Sequence, residues 1–342
     1  MKLKLRAFLP LPLLLLTAIT GHATDNWKPD ILRQGYEMRT VDQGRDYSGP
    51  VVSTIIRRLL PDTVTRPLGT ILYIHGFNDY FFNPELGQQA NRHGYDFYAV
   101  DLRKYGRSIR PRQELFQCRS LTEYFPDIDS ALVEISHAHN SPTILMGHST
   151  GGLITAFYMA RTHNPQVDAL ILNSPFLDWN LGWKEHLVPI ISWWGTMFPD
   201  TPVSQGNSTA YSESLLKDEH GEWQFRTDWK LPASSDVTAG WVHAIDSAQK
   251  ALRNGKARIN IPILLMYSAE SVSGHDWTTA HNRADAVLDV NDIRRYGLML
   301  GPDVTCIRVV GGLHDLYLSS PRLRTLLYAR TFAWLASLPI KR

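Results

Sequence analysis

The sequence predicts an α/β fold in which a mostly parallel, doubly wound sheet carries an inserted helical cap. Three observations predict it. Short β-rich runs alternate with helical stretches along most of the chain, the pattern of strands joined by crossover helices. A Gly-x-Ser-x-Gly motif, Gly147-His148-Ser149-Thr150-Gly151, stands between one such run and a helix. Between residues 177 and 256 the strand pattern stops, and Trp179, Trp183, Trp193, Trp194, Trp223, Trp229 and Trp241 collect there out of 10 tryptophans in the chain.

With 342 residues, 44% hydrophobic and 20% charged, the chain can bury a full core, which excludes disorder for most of it. Two cysteines cannot build a disulfide scaffold. Lys2, Lys4 and Arg6 precede an apolar run at 7–19 and the small residues Gly21 and Ala23, which reads as a secretory signal peptide over 1–23 cut after Ala23. The run contains Pro10 and Pro12 and is too short to span a bilayer, so no integral membrane segment is expected after cleavage. Three of the 35 basic residues and none of the 33 acidic ones lie in it, which leaves the mature chain at a net −1. Near neutrality argues against a nucleic-acid partner. The expected organisation is a first core part at 24–176, a cap at 177–256 and a second core part at 257–342.

The elements follow in order. Residues 53–60, rich in Ile, Leu and Arg, supply an antiparallel edge strand. Buried strands are expected at 70–75, 97–101, 143–146, 169–172, 263–267 and 304–310, each short, apolar and bounded by turn residues. Ser120 and Glu123 form a capping box, and Pro126 begins a new helix after it. Leu153, Phe157 and Ala160 share a face of the helix after the Gly-x-Ser-x-Gly motif, as Leu323, Leu326, Leu327 and Trp334 do in the C-terminal helix. The segment 177–256, inserted between strands, covers the strand ends, where ligands of open α/β sheets bind.

A strand-to-helix turn at the motif pushes the Ser149 hydroxyl above the sheet, and Gly147 and Gly151 allow the close backbone approach such a turn needs. A serine hydroxyl is a weak nucleophile at neutral pH and requires a base. In this architecture the base follows the last strand, which selects His314 in Gly311-Gly312-Leu313-His314-Asp315 from 13 histidines. The acid that orients it lies between the 263–267 strand and His314. Asp285 is the leading candidate, Glu270 the alternative, and Asp276 and Asp289 also compete. A tetrahedral intermediate needs two backbone N–H donors, which Phe77 and Thr150 can supply. The zinc, nucleotide and dinucleotide motifs are missing from the sequence, so no metal and no cofactor is expected. His275, Asp276 and His281 are read as loop residues, not as a metal site.

Taken in order, these motifs resemble those of α/β-hydrolases of the group that includes monoacylglycerol lipases, lysophospholipases and serine aminopeptidase-like hydrolases. Ile74-His75-Gly76 resembles the group's oxyanion loop, Val100-Asp101-Leu102-Arg103-Lys104-Tyr105-Gly106-Arg107-Ser108 its D-x-R-x-x-G-x-S segment, and Gly147–Gly152 its nucleophile turn. Ala284-Asp285-Ala286-Val287-Leu288-Asp289 resembles its acid turn, although about 17 residues, not a short turn, separate Tyr267 from Asp285. The resemblance implies an α/β-hydrolase fold and places Cys118 far from Cys306, as free thiols. It also implies a serine hydrolase acting on a small ester, the signal-peptide pattern of 1–23 makes that enzyme exported, periplasmic or secreted, and the tryptophan-rich cap suggests an apolar substrate. Two rivals stand beside that reading. An aminopeptidase would need Glu185, Glu213 or Glu222 pointing into the site to hold an ammonium, and a non-catalytic binding protein would use the same fold without chemistry.

Overall fold

The computed structural model describes residues 26–138, 140–206, 208–233, 236–255 and 258–339. The signal-peptide reading of 1–23 lies outside the described residues. The chain runs through β1 (Lys28–Pro29), β2 (Glu37–Asp46), β3 (Gly49–Arg58), β4 (Gly69–Ile74), α1 (Pro84–Arg92), β5 (Tyr95–Asp101), α2 (Phe125–Ala138), β6 (Thr143–His148), α3 (Thr150–Thr162) and β7 (Ala169–Asn173). It continues through α4 (Val188–Met197), β8 (Pro202–Val203), α5 (Ala210–Leu215), β9 (Val237–Thr238), α6 (Ala239–Arg253), β10 (Ile263–Ser268), α7 (Val290–Gly297), β11 (Val304–Val309) and α8 (Pro321–Ser337).

One sheet takes the order β1-β2-β3-β5-β4-β6-β7-β10-β11. From β5 to β11 each neighbouring pair is parallel, and β1, β2 and β3 join antiparallel. Alternation along the strands feeds two cores. Leu72, Leu145, Leu170 and Leu265 enter the one shared with α2, α3 and α6, while Ile71, Ile144, Ile171 and Leu264 enter the one shared with α1 and α8. The strand order reverses at β4, which lies between β5 and β6, so the connections from β4 through α1 and from β6 through α3 run to opposite sides of the sheet.

Several elements depart from the sequence pattern. The strand expected at the edge over 53–60 is antiparallel but internal, because β2 and β1 lie outside it. β2 escapes the pattern because its polar, partly exposed residues show no apolar alternation and its register shifts between Asp42 and Arg45. The strand expected to be buried over 304–310 is the opposite edge, with Thr305, Cys306 and Arg308 exposed. On α8 the buried stripe is Leu327, Tyr328, Thr331, Phe332 and Leu335, and Leu326 faces solvent. Pro126 does sit in the first turn of α2, directly after the 3₁₀ turn that Ser120 and Glu123 cap. Cys118 is buried, Cys306 is exposed, and both are free.

Among the described residues, the segment between β7 and α6 adds no strand to the main sheet and supplies α4, α5 and the two-residue β8–β9 pair. α6, expected within the inserted segment, shares the core of α2 and α3, so sheet-covering structure resumes at Ala239 instead of after 256. α4 rides close on it: a Cβ on Gly195 would stand 2.1 Å from the Ala239 carbonyl oxygen. Of the seven clustered tryptophans only Trp241 is buried, and Trp183, Trp193 and Trp194 are 72%, 61% and 42% exposed. Aromatic content there marks an outer face as much as a core.

Candidate active site

The site begins with a strained turn. Ser149, between β6 and α3, has φ +52° and ψ −118°, a region that side chains other than glycine rarely occupy. The turn is tight enough to require its neighbours to be glycine. A Cβ on Gly147 would stand 2.4 Å from the Gly151 carbonyl oxygen, and one on Gly151 would stand 2.3 Å from that of His75. Hydrogen bonds over-determine the conformation: the Ser149 amide donates to the Asn173 carbonyl (3.0 Å), and the Ser149 carbonyl accepts from Phe176 (3.0 Å) and Leu153 (3.1 Å).

His314 arrives on the loop after β11, where Gly311 turns the chain at φ +77°. The Asp315 carboxylate accepts from Asn173 Nδ2 (2.8 Å) and from the Tyr317 amide (3.0 Å), which ties this loop to the end of β7. His314 Nε2 then lies 2.9 Å from Ser149 Oγ, and His314 Nδ1 lies 2.9 Å from Asp285 Oδ2. An ionised carboxylate only accepts, so Nδ1 carries the proton and Nε2 is left to accept from the serine hydroxyl.

Asp285 reaches this position by a detour. Its amide donates to the Glu270 carbonyl and its own carbonyl accepts from the Val272 amide, both at 2.8 Å, so the chain leaves after Val272 and returns to pair beside β10. The extra residues form an excursion, and Asp285 occupies the place of a residue in a short turn. Its second oxygen, Oδ1, accepts from the Val287 and Leu288 amides at 2.8 Å each. Glu270 is exposed and contributes only its backbone, Asp289 caps α7 through the Asn291 amide, and Asp276 is exposed on the excursion. His281 bonds to Thr278, and among the described residues no group of three His, Cys, Asp or Glu side chains is placed to hold a metal ion.

The loop after β4 lies against the Ser149 turn, where a Cβ on Gly76 would come within 3.1 Å of Ser149 Cβ. Among the described residues neither the Phe77 amide nor the Thr150 amide donates to a protein acceptor, and both residues line the cleft. His75 is locked beneath the loop, with Nδ1 donating to the Gly76 carbonyl (2.8 Å) and Nε2 accepting from the Leu102 amide (3.1 Å). Sequence reasoning missed His148. Its ring centroid is 4.8 Å from that of His314, and burial pulls its pKa down. A neutral His148 adds no second cation beside an imidazolium at His314. Asn173 and Asp315 were missed too. Only the adjacency of Asp315 to His314 could have signalled either.

Ser149, Thr150 and His314 open into a cleft of about 490 Å³ walled largely by apolar side chains, among them Trp179, Leu187, Val188, Ile191 and Trp241. Among the described residues one carboxylate, Asp79, lines that cleft, and Lys230 pairs with it at 3.1 Å. Glu185, Glu213 and Glu222 do not line it. Glu185 accepts from the Leu181 amide, Glu213 from the Thr209 hydroxyl, and Glu222 pairs with Arg324.

A family model described as "Serine aminopeptidase, S33" matches residues 65–290. A phospholipase of Bacillus subtilis, YtpA, is 23% identical over 233 residues, covering 64% of this chain and 85% of that protein. A monoacylglycerol lipase of Mycolicibacterium smegmatis is 26% identical over 209 residues, covering 60% and 71%. Among solved structures, a soluble variant of the Saccharomyces cerevisiae monoglyceride lipase superposes with a TM-score of 0.63 at 15% identity, over 89% of this chain and 96% of that one. The monoacylglycerol lipase of Paleococcus ferrophilus gives 0.59 at 19% identity, over 88% and 99%.

Proposed function

We propose that this chain, which belongs to the serine aminopeptidase S33 family and has an α/β-hydrolase fold, hydrolyses carboxylic esters with apolar acyl groups through an acyl-enzyme on Ser149. The observation that carries the reading is the Ser149–His314–Asp285 relay, with two contacts of 2.9 Å, at an apolar cleft. Ser149 Oγ attacks the ester carbonyl as His314 Nε2 takes its proton, and the Asp285 carboxylate stabilises the resulting imidazolium. The oxyanion accepts hydrogen bonds from the Phe77 and Thr150 amides. Collapse breaks the bond to the alcohol, which leaves with the proton from His314. Water then attacks the acyl-serine by the same route and releases the acid.

The reading of esters over aminoacyl amides is supported by the cleft's charge: its lining carboxylate Asp79 is paired with Lys230, and none of the three glutamates that could hold an ammonium lines it. Outside the cleft, α4 presents Ile190, Trp193 and Met197 to solvent, which suits a substrate drawn from a lipid aggregate. Relatives named a phospholipase and a monoacylglycerol lipase support the same class. A chain-length series of p-nitrophenyl esters, run on wild type and Ser149→Ala, tests the reading. Activity that survives Ser149→Ala, or aminoacyl amides turned over faster than esters, would overturn it. The Lys2–Ala23 pattern further supports export, and mass spectrometry of secreted protein is expected to find Thr24 at the N-terminus.

A further inference from the structure

We propose that Asn78 is a positioning residue through which the cap assembles the oxyanion hole. The inference rests on the reading above, in which the Phe77 amide is an oxyanion donor. Asn78 follows Phe77 directly and has φ +48°, in the left-handed region that few residues besides glycine and asparagine adopt, so the loop turns sharply one residue beyond the Phe77 amide. Its side chain reaches across to the cap segment and closes a reciprocal pair: the Leu231 amide donates to Asn78 Oδ1 at 2.7 Å, and Asn78 Nδ2 donates to the Leu231 carbonyl at 2.8 Å. A primary amide is the side chain that can satisfy both groups of one backbone residue at once.

The next residue on each side is latched as well. Lys230 Nζ lies 3.1 Å from Asp79 Oδ1 and 3.5 Å from the Asn78 carbonyl, and both charged side chains are buried. Around this clasp Tyr80 packs edge-on to Trp229 at 5.2 Å, and its hydroxyl accepts from the Arg226 amide at 2.8 Å. Residues 78–80 therefore bond to 226–231 at three consecutive positions. These contacts brace the left-handed turn of the loop that carries one oxyanion donor against this stretch of the cap. Cap seating acts on the rate of the chemical step as well as on substrate access, because the donor must be aimed at the oxyanion and not at the ground-state carbonyl.

The test is Asn78→Gly, which keeps a backbone able to adopt φ +48° and removes only the clasp, with Lys230→Met as a second variant that cuts the neighbouring latch. Rates on a short p-nitrophenyl ester are taken per mole of enzyme shown to be folded by circular dichroism and gel filtration. Loosening a donor by a fraction of its hydrogen-bond length predicts kcat lower by about 10- to 100-fold with KM within about threefold. Affinity for a trifluoromethyl ketone, whose adduct places an oxyanion in the hole, should fall by the same factor. Hydrogen exchange should quicken together in peptides covering 76–82 and 225–233. Exchange that quickens while kcat and ketone affinity hold within twofold assigns the clasp to stability alone and overturns the proposal, as does exchange that rises on one side only. A wild type that hydrolyses no ester and whose Ser149 takes no fluorophosphonate sinks the esterase reading itself, a result distinct from any difference between variant and wild type.

Discussion

Asp285→Asn probes the member of the site that the sequence leaves most open, and the structure sets the size of the effect. Asp285 Oδ2 is 2.9 Å from His314 Nδ1 and both side chains are buried. Opposite unit charges about 4 Å apart at an effective dielectric of about 20 attract by about 4 kcal/mol, so a neutral residue here forfeits roughly three decades of rate when the imidazolium forms. A second effect concerns the tautomer. With Oδ1 still accepting from the Val287 and Leu288 amides, the asparagine must turn its NH₂ toward His314 Nδ1. Two donors cannot face each other, so the ring proton moves to Nε2, which then donates toward Ser149 instead of receiving its proton. Together these predict a kcat on a short p-nitrophenyl ester lower by about 10³- to 10⁴-fold, with KM changed by less than about threefold. Glu270→Gln, a change at an exposed side chain, should stay within about twofold. A loss under tenfold for Asp285→Asn, or a larger loss for Glu270→Gln, would refute the assignment.

Other expectations concern single side chains. Burial pushes the Cys118 thiol up to about 12, whereas Cys306 is exposed, so iodoacetamide should add one label to native protein and two after denaturation, counted by mass spectrometry. Burial depresses His148 below its usual 6.5, so the unfolded chain binds a proton that the fold resists as pH falls below about 6.5. The associated stability is present above that pH and is lost toward the lowered folded pKa, at up to about 1.4 kcal/mol per pH unit. His148→Asn, which keeps a donor for the Asn173 carbonyl, should flatten the fall in Tm between pH 7 and pH 5, and identical slopes would count against it. Trp183→Ser and Trp193→Ser alter exposed side chains that do not line the cleft, so Tm and short-ester turnover should hold while hydrolysis of micellar long-chain esters slows. Equal rates on micelles would remove that face from the account.

Much of the fold was legible because parallel strands buried on both faces read as plain apolar runs. β4, β6, β7 and β10 lie within a residue or two of where those runs stand. β2 was not, since a polar strand near a sheet edge carries no period-two apolar signal and is held by its neighbour instead. Ser149 and His314 were legible from chain order and glycine spacing, which follow from the steric demands of the turns that hold them. His148, Asn173 and Asp315 were not. Their importance lies in long-range contacts, such as Asn173 Nδ2 to Asp315 across 142 positions, for which one sequence has no local marker. The cap boundary misled for a related reason: Trp241 belongs to the composition of the inserted segment but to the packing of α6 on the sheet.

The excursion that hid the acid explains how the cap is held. Its Trp277 stacks on His220 of the cap with ring centroids 3.5 Å apart, Asn282 Nδ2 donates to the His220 carbonyl at 2.7 Å, and Ser208 Oγ donates to the His275 carbonyl at 3.1 Å. The same strand pairing that returns Asp285 to His314 thus braces the cap from the side of β10. The Asn78–Leu231 clasp braces it from the side of β4. A cap fixed at both points cannot swing away as one body without disturbing either the loop that carries Asp285 or the loop after β4. Substrate entry is therefore expected through local movement of α4, which carries the exposed apolar face and whose Val188 and Ile191 line the cleft. On the proposed reading, such movement would leave Ser149, His314 and Asp285 in place and displace only the apolar wall that Val188 and Ile191 supply.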